Sequence, residues 1–180
     1  LSVQAMAIKE NNISTQMKSK IDKTTNLLQN KKLSTDDKVN QIFETFDSVF
    51  DYLSMSKIAL GSEWEKLSLE QKKAFEQSFT LKLKRSYIDK LNLYTNEKVI
   101  IEKIEKIRQN RIKLHTKLIG QEEIYDIVYK FHKSNNNEWL IYDVEMIGVS
   151  IMKTYRNQFK EFLATNSFDN LLAQLKIKEK

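Results

Sequence analysis

The sequence predicts an α+β domain in which helices from both ends of the chain pack on an antiparallel sheet. Three segments in the middle of the chain alternate between apolar and polar residues, which is the period of a half-buried strand. Before and after them, apolar residues recur every three or four positions, as in amphipathic helices. Strands that follow one another, instead of alternating with helices, favour an antiparallel sheet with one covered face.

The residues before Ser68 predict three helices. Residues 9–30 predict an amphipathic surface helix. Ser34 is suited to begin the following helix, because a serine side chain accepts a backbone N–H there. Its apolar face extends over residues 39–53. Ser54 is expected to cap a short helix that ends at Gly61, which adopts a positive φ without steric cost.

Three further helix starts are marked by serines. Ser68 with Gln71 forms a capping box at the start of a long helix whose apolar face broadens towards residue 91. Ser150 and Ser167 are expected to cap two helices after the sheet.

The middle of the chain predicts strands at residues 111–118, 124–131 and 139–146, separated by turns at Gly120-Gln121 and at residues 134–137. Residues 99–107 fit a helix and a strand equally well, because their Glu/Lys pairs suit both. The residues expected on the inner face are Ile112, Leu114, Thr116, Leu118, Tyr125, Ile127, Tyr129, Phe131, Leu140, Tyr142, Val144 and Met146.

Composition excludes several classes of protein. A chain of 180 residues fits one domain, and it contains no cysteine, so it has neither disulfides nor thiolate metal ligands. The net charge is +6, but the 30 basic residues are interleaved with 24 acids along the whole chain. Interleaved charges are typical of solvated helix faces, and we therefore expect no nucleic-acid partner.

Catalytic constellations are also missing from the sequence. The two histidines, His115 and His132, have no other ligand at metal-binding spacing, and three glycines are too few for a phosphate-binding loop. Asp143 lies in an apolar strand and is interpreted as a structural carboxylate, bonded to Arg156 or to helix N–H groups, with a general base as the alternative. We therefore expect no catalytic residue, no metal and no cofactor.

The first seven residues differ from the rest of the chain. Residues 1–7 carry no charge and end in Ala-Met-Ala, which resembles the end of a secretory signal peptide cleaved after Ala7. The alternative is a short apolar start to the first helix. No run reaches the roughly 18 apolar residues that cross a bilayer, so we expect a soluble protein formed by residues 8–180 as a single domain.

Motifs spread over most of the chain resemble one known family, the MlaC or toluene-tolerance auxiliary family, from about residue 34 to the C-terminus. The residues that carry the resemblance are Asp51, Ala59-Leu60-Gly61, Trp64, Leu67-Ser68, Gln71, Phe75, Phe79, Leu83, Tyr87, Tyr94, Trp139, Tyr142-Asp143-Val144, Gly148-Val149-Ser150, Tyr155-Arg156, Gln158-Phe159, Leu171-Leu172 and Leu175.

The resemblance implies a fold and a function. It makes residues 98–108 the first strand of a four-stranded antiparallel sheet, covered on one face by helices from both ends of the chain and enclosing an apolar cavity. It implies a periplasmic carrier that is a monomer and binds phospholipid as cargo, with residues 1–7 as a remnant of the secretory signal peptide. Its partners would be an outer-membrane lipoprotein complex and an inner-membrane ABC transporter complex with an MCE-domain subunit, and its role would be to maintain outer-membrane lipid asymmetry.

The predicted faces then select the residues that would line the cavity. They are Phe46, Phe50, Leu53, Leu60, Phe79, Leu83, Tyr87, Leu114, Ile127, Tyr129, Tyr142, Val144, Met146, Val149, Met152 and Tyr155. Two alternatives stay open, because the pattern does not distinguish a filled core from one that holds a ligand. They are an NTF2-like enzyme that acts on an apolar substrate, and a protein-protein adaptor with a filled core.

Overall fold

The computed structural model describes residues 8–91 and 96–177, except for the side chains of residues 87–91. Residues 1–7, the predicted end of a signal peptide, lie outside the described residues. The helices are α1 (Ile13–Gln29), α2 (Thr35–Asp47), α3 (Tyr52–Leu60), α4 (Leu69–Leu91), α5 (Ile151–Thr165) and α6 (Phe168–Leu175), with 3-10 segments at Glu10–Asn12 and Gly61–Lys66. The strands are β1 (Lys98–Arg108), β2 (Arg111–Ile119), β3 (Ile124–Lys133), β4 (Trp139–Met146) and β5 (Val149–Ser150).

The sheet has five antiparallel strands in the order of the chain. The prediction of four strands was therefore wrong by one short strand. Residues 147 and 148 both have positive φ, which turns the chain back so that Val149 pairs with Met146. A strand of two residues is too short to produce an alternating pattern, and so periodicity could not reveal it. None of the described helices has both the length and the apolar composition that a bilayer crossing requires.

Most of the predicted helix starts are confirmed. The side chains of Ser34, Ser150 and Ser167 each accept the backbone N–H three residues on. At the start of α4, the hydroxyl of Ser68 accepts from Gln71 N at 3.1 Å, and Gln71 Oε1 accepts from Ser68 N at 2.9 Å. The capping box therefore forms as predicted.

The segment between α2 and α3 differs from the prediction. Helix α2 ends at Asp47, and Asp51, not Ser54, caps α3 by accepting from Ser54 N. The intervening chain lies along β4: Ile141 N donates to Val49 O at 2.7 Å, and Asp51 N donates to Ile141 O at 2.9 Å. Residues 49–51 therefore pair with the edge of β4, although helical spacing had assigned this segment to one continuous apolar helix face.

The inner face of β4 changes phase in the middle of the strand. Lys130 pairs with Asp143 but Phe131 pairs with Ile141, so Tyr142 is an extra residue in the ladder. A β-bulge of this kind shifts the alternation by one residue. Val144 and Met146 face inward as predicted, whereas Trp139 and Ile141 replace Leu140 and Tyr142, whose inward prediction was wrong.

The core consists of two clusters. The helical cluster joins α3 through α6 around Phe75 and Phe79, both fully buried. The sheet cluster joins the inner face to α1 and to the segment after α2. Phe50 and Ile151 are partly buried and pack against both clusters. The two clusters therefore meet along a line that runs from the end of α2 to the start of α5.

Asp143 holds the sheet to α5. It is 4% exposed and accepts hydrogen bonds from Ser150 Oγ at 2.6 Å, Val144 N at 2.8 Å, Met152 N at 3.1 Å and Lys130 Nζ at 3.1 Å. The expected bond to a helix N–H group is confirmed. Arg156 is instead directed at the end of α3, where its Nε would lie 3.0 Å from a Cβ added to Gly61.

We predict that Asp143→Asn destabilises the protein by about 2 kcal/mol, because an amide accepts fewer of these bonds and loses its charge attraction to Lys130. Lys130 keeps Glu145 at 2.6 Å, which limits the loss. Urea unfolding would measure the change, with Asp126→Asn as the control because that side chain is 64% exposed. An equal effect of the two substitutions would contradict the prediction.

Candidate functional site

Seven of the predicted cavity residues belong to the sheet cluster. Leu114 and Val144 are buried in it, and the other five are partly buried hydrophobic residues packed against it. Those five are Phe46, Phe50, Ile127, Tyr129 and Met146. The structure therefore brings this group together on one side of the sheet.

Five others belong to the helical cluster. Leu60, Phe79, Leu83 and Met152 are buried there, and Tyr155 packs edge-on against Phe79 at 5.2 Å between ring centroids. The two groups meet at Phe50, which packs against both clusters.

The structure corrects three of the predicted positions. Leu53 is 42% exposed, because α2 ends at Asp47 and Leu53 lies in the first turn of a separate helix. Val149 is 59% exposed and lies in the short edge strand β5. Tyr142 lies on the opposite face of the sheet, edge-on to His132 at 5.6 Å and beneath the guanidinium of Arg111 at 5.3 Å. The side chain of Tyr87 lies outside the described side chains.

Two residues that the sequence analysis missed lie between the predicted groups. Ile151 packs against both clusters, and Ile101 of β1 packs against the sheet cluster. Ile151 precedes Tyr155 by four residues on α5, so helical spacing would have found it. Ile101 would have followed from the strand assignment of residues 98–108.

Burial of the inner face decreases along the strands. Ile112, Phe131 and Ile141 at one end are at most 2% exposed, whereas Ile127 and Met146 at the other end are only partly buried. The inner face is therefore fully buried at one end and partly exposed at the other.

Tyr129 lies where this change occurs. Burial raises the pKa of its phenol to about 12, although the side chain keeps some accessible surface. Among the described residues, no hydrogen bond to its hydroxyl group is found. Tyr129 therefore lies at the boundary between the fully buried and the partly exposed parts of the inner face.

Two other hydroxyl groups between the sheet and the helices have partners. Tyr155 Oη lies 3.2 Å from Ser86 Oγ, and Thr116 Oγ1 donates to Ile127 O at 2.8 Å. Polar groups in this region are thus few, and the rest of the surface between the clusters is hydrocarbon. Such a surface suits apolar chains and offers little to hold a polar substrate.

A separate groove lies between the end of α3 and α5. It measures about 690 Å³ and is open to solvent. Lys130, Lys153, Arg156 and Lys160 contribute to its walls, together with Tyr142. Its walls also include Ile58, Leu163 and two of the predicted cavity residues, Leu60 and Met152, so the groove combines basic and apolar side chains.

The strongest acid-base pair of the described residues is structural. His132 Nε2 lies 2.7 Å from Asp51 Oδ2, while Ser54 Oγ donates to the same carboxylate at 2.8 Å. Burial alone would raise the pKa of Asp51, but its bonds to His132 and Ser54 lower that pKa from 3.8 to about 2. The hydroxyl of Ser54 is bonded to the carboxylate and not to the imidazole, so this is not the arrangement of a catalytic serine.

The other histidine is also paired with an acid. His115 Nε2 lies 2.7 Å from Glu105 Oε2 on the outer face of the sheet. No three metal-binding side chains come together in the described part of the chain.

Comparison with known proteins supports the family resemblance. A family model described as MlaC protein matches residues 18–177. The intermembrane phospholipid transport system binding protein MlaC of Haemophilus influenzae is 27% identical over 120 residues, which are 64% of this chain and 56% of that relative. The chain thus aligns with just over half the length of this relative. The resemblance found in the sequence is confirmed.

A solved structure shows the same fold. The phospholipid-binding protein from Ralstonia solanacearum, solved in complex with a phospholipid, aligns with a TM-score of 0.76 at 20% sequence identity. The alignment covers 94% of this chain and 95% of the other. The α+β fold is therefore shared along nearly the whole length of both chains.

We predict that Asp51→Asn lowers stability by about 1 kcal/mol near neutral pH, since asparagine keeps the helix cap but loses the charge that His132 and Ser54 stabilise. The pKa of Asp51 is lower in the folded state, so its contribution is present above 3.8 and is lost as pH falls through about 2. The stability difference between wild type and variant should therefore shrink between pH 4 and pH 2.

Urea unfolding at several pH values would measure this difference. Asp36→Asn, which removes an exposed acid on α2, is the control. A difference that stays constant down to pH 2 would exclude ionisation of Asp51 as its source.

Proposed function

Since the chain belongs to the MlaC family, we propose that it is a phospholipid-binding transport protein that holds its cargo by the acyl chains between the two core clusters. The observation that carries the proposal is the partly exposed hydrocarbon surface that Ile127, Tyr129 and Met146 form at one end of the inner sheet face. We place Leu83 and Tyr155 of the helical cluster on the other side of the proposed site.

The energetics of a lipid define what such a site must provide. Two acyl chains of ordinary length carry about 30 methylene groups, and their transfer out of water is worth roughly 25 kcal/mol at about 0.8 kcal/mol each. A membrane offers the same gain, so a carrier must match it without greatly exceeding it. Non-directional contacts with aliphatic and aromatic side chains meet this requirement, because they hold a chain without fixing its position.

The remaining predicted lining residues complete the proposed site. From the sheet side these are Phe46, Phe50, Leu114 and Val144, and from the helical side Leu60, Phe79 and Met152. Ile101 and Ile151 join them because they pack against the same clusters. The proposed site excludes Leu53 and Val149, which are exposed, and Tyr142, which lies on the opposite face of the sheet.

The wider role follows the relatives. The Haemophilus influenzae relative is the binding protein of an intermembrane phospholipid transport system. We propose that this chain likewise carries phospholipid through the periplasm, between an outer-membrane lipoprotein complex and an inner-membrane ABC transporter complex with an MCE-domain subunit. Outer-membrane lipid asymmetry would depend on this transfer, and no catalytic step is part of it.

Extraction of the purified protein with organic solvent, followed by lipid analysis, tests the proposal directly. About one phospholipid per chain is expected. An empty protein that also fails to take lipid from vesicles would favour the adaptor with a filled core. Consumption of a bound apolar substrate would favour the enzyme.

We predict that Leu83→Trp and Val144→Trp each block lipid loading, because an indole at either position fills space between the clusters. Leu83 is 3% exposed and Val144 is 4% exposed, on opposite sides of that space. Native mass spectrometry of each variant after expression would measure the fraction of protein that carries lipid.

The matched control is Leu81→Trp. Leu81 is two residues from Leu83 on α4, but it is 52% exposed, so the same change there should leave loading intact. Circular dichroism would establish that all three variants are folded. Bound phospholipid in both folded cavity variants would show that the site has been placed wrongly.

A further inference from the structure

Strand β1 forms one edge of the sheet and has a free side. It pairs with β2 alone, and no backbone group of residues 98–108 bonds to another described element. Three isoleucines along it are exposed: Ile100 by 43%, Ile104 by 40% and Ile107 by 44%. A long edge strand with exposed apolar side chains is a template for pairing with another strand.

The charges on this strand are arranged in a self-complementary order. Residues 101–107 read Ile-Glu-Lys-Ile-Glu-Lys-Ile. When a second copy is laid antiparallel with Ile104 opposite Ile104, every acid meets a base and every isoleucine meets an isoleucine. The pairs are Ile101 with Ile107, Glu102 with Lys106, and Lys103 with Glu105, each occurring twice.

We propose that two copies of this chain associate edge to edge through residues 101–107 of β1, about a two-fold axis at Ile104. A two-fold interface uses the same patch on both copies, which requires such a self-complementary sequence. Opposed charges and apolar pairs directly across neighbouring strands each contribute roughly 0.2 to 1 kcal/mol.

The charges select this register over its neighbours. Centring the pair one residue earlier would place Lys103 against its own copy, and centring it one residue later would oppose Glu105 to Glu105. Like charges directly opposite each other are destabilising. Lys103 has no ion-pair partner among the described residues, so the second copy would supply its first. Glu102, Glu105 and Lys106 already pair with Lys117, His115 and Glu10, and would share those partners with the second copy.

The shape of β1 limits the strength of the association. Its pairing with β2 is interrupted between Ile101 and Lys103 and again between Lys106 and Arg108. Only residues 103–106 lie between these bulges, so Lys103, Ile104 and Glu105 form the regular part of the proposed ladder and its outer pairs fall at the bends. Bulges are one means by which edge strands avoid uncontrolled pairing. The proposed contact uses seven residues of each copy, fewer than the roughly 20 to 30 residues a side of stable interfaces. The chain is therefore a monomer at low concentration and a dimer at high concentration.

Sedimentation velocity with charge-swapped variants tests the proposal. Glu102→Lys with Glu105→Lys makes all four charged residues of the segment 101–107 basic. Lys103→Glu with Lys106→Glu makes all four acidic. Each variant alone should weaken self-association at least about tenfold, because all of its cross-strand charge pairs become repulsive. An equimolar mixture of the two should associate again, at least as tightly as the wild type.

Two controls separate this interface from other effects. Glu44→Lys with Glu65→Lys makes the same change in net charge at exposed helical positions and should leave association unchanged. Ile104→Thr keeps a β-branched residue at the axis and should weaken association without unfolding the strand. A wild type that stays monomeric up to about 1 mM would overturn the proposal, as would a mixture that fails to associate.

Discussion

The carboxylate of Asp143 is where strand, turn and helix are fixed to one another. It binds the hydroxyl of Ser150 and the N–H group of Met152 at the start of α5, while Lys130 reaches it from β3. The β-bulge at Tyr142 brings the carboxylate to this position, because it changes the phase of β4 just before Asp143. The direction in which α5 leaves the sheet, and hence the place of Ile151 and Tyr155, depends on these bonds.

That arrangement determines how the two core clusters face each other. Phe50 is held by the pairing of its neighbours with Ile141, and Ile151 by the start of α5, and both touch the two clusters. The inner sheet face is apolar and is more exposed at one end than at the other. The proposed site uses this exposed end, where contacts with hydrocarbon side chains are non-directional and can follow a flexible acyl chain.

Local signals allowed much of this fold to be predicted. A serine cap requires only the N–H groups of its own helix, so Ser34, Ser68, Ser150 and Ser167 could be identified without tertiary information. The strands at residues 111–118 and 124–131 were likewise visible in their alternation. Tyr142 was misplaced because its bulge depends on the distant groups that Asp143 binds. The end of α2 at Asp47 depends on the hydrogen bonds that Val49 and Asp51 form with Ile141 of β4, which are distant in sequence. Whether the core is filled or holds a ligand depends on how the two clusters pack against each other, which periodicity does not report.

Gly61 illustrates how a single backbone position couples two parts of the chain. Its φ of 57° and ψ of −132° lie where side chains other than hydrogen are strained, and the guanidinium of Arg156 occupies the space that a Cβ would need. Shortening Arg156 would remove the collision but leave the backbone strain. Replacing Gly61 is therefore costly in any background, whereas position 156 is free to vary as long as residue 61 stays glycine. This asymmetric dependence would make the order in which the two substitutions are acquired matter for any evolutionary path.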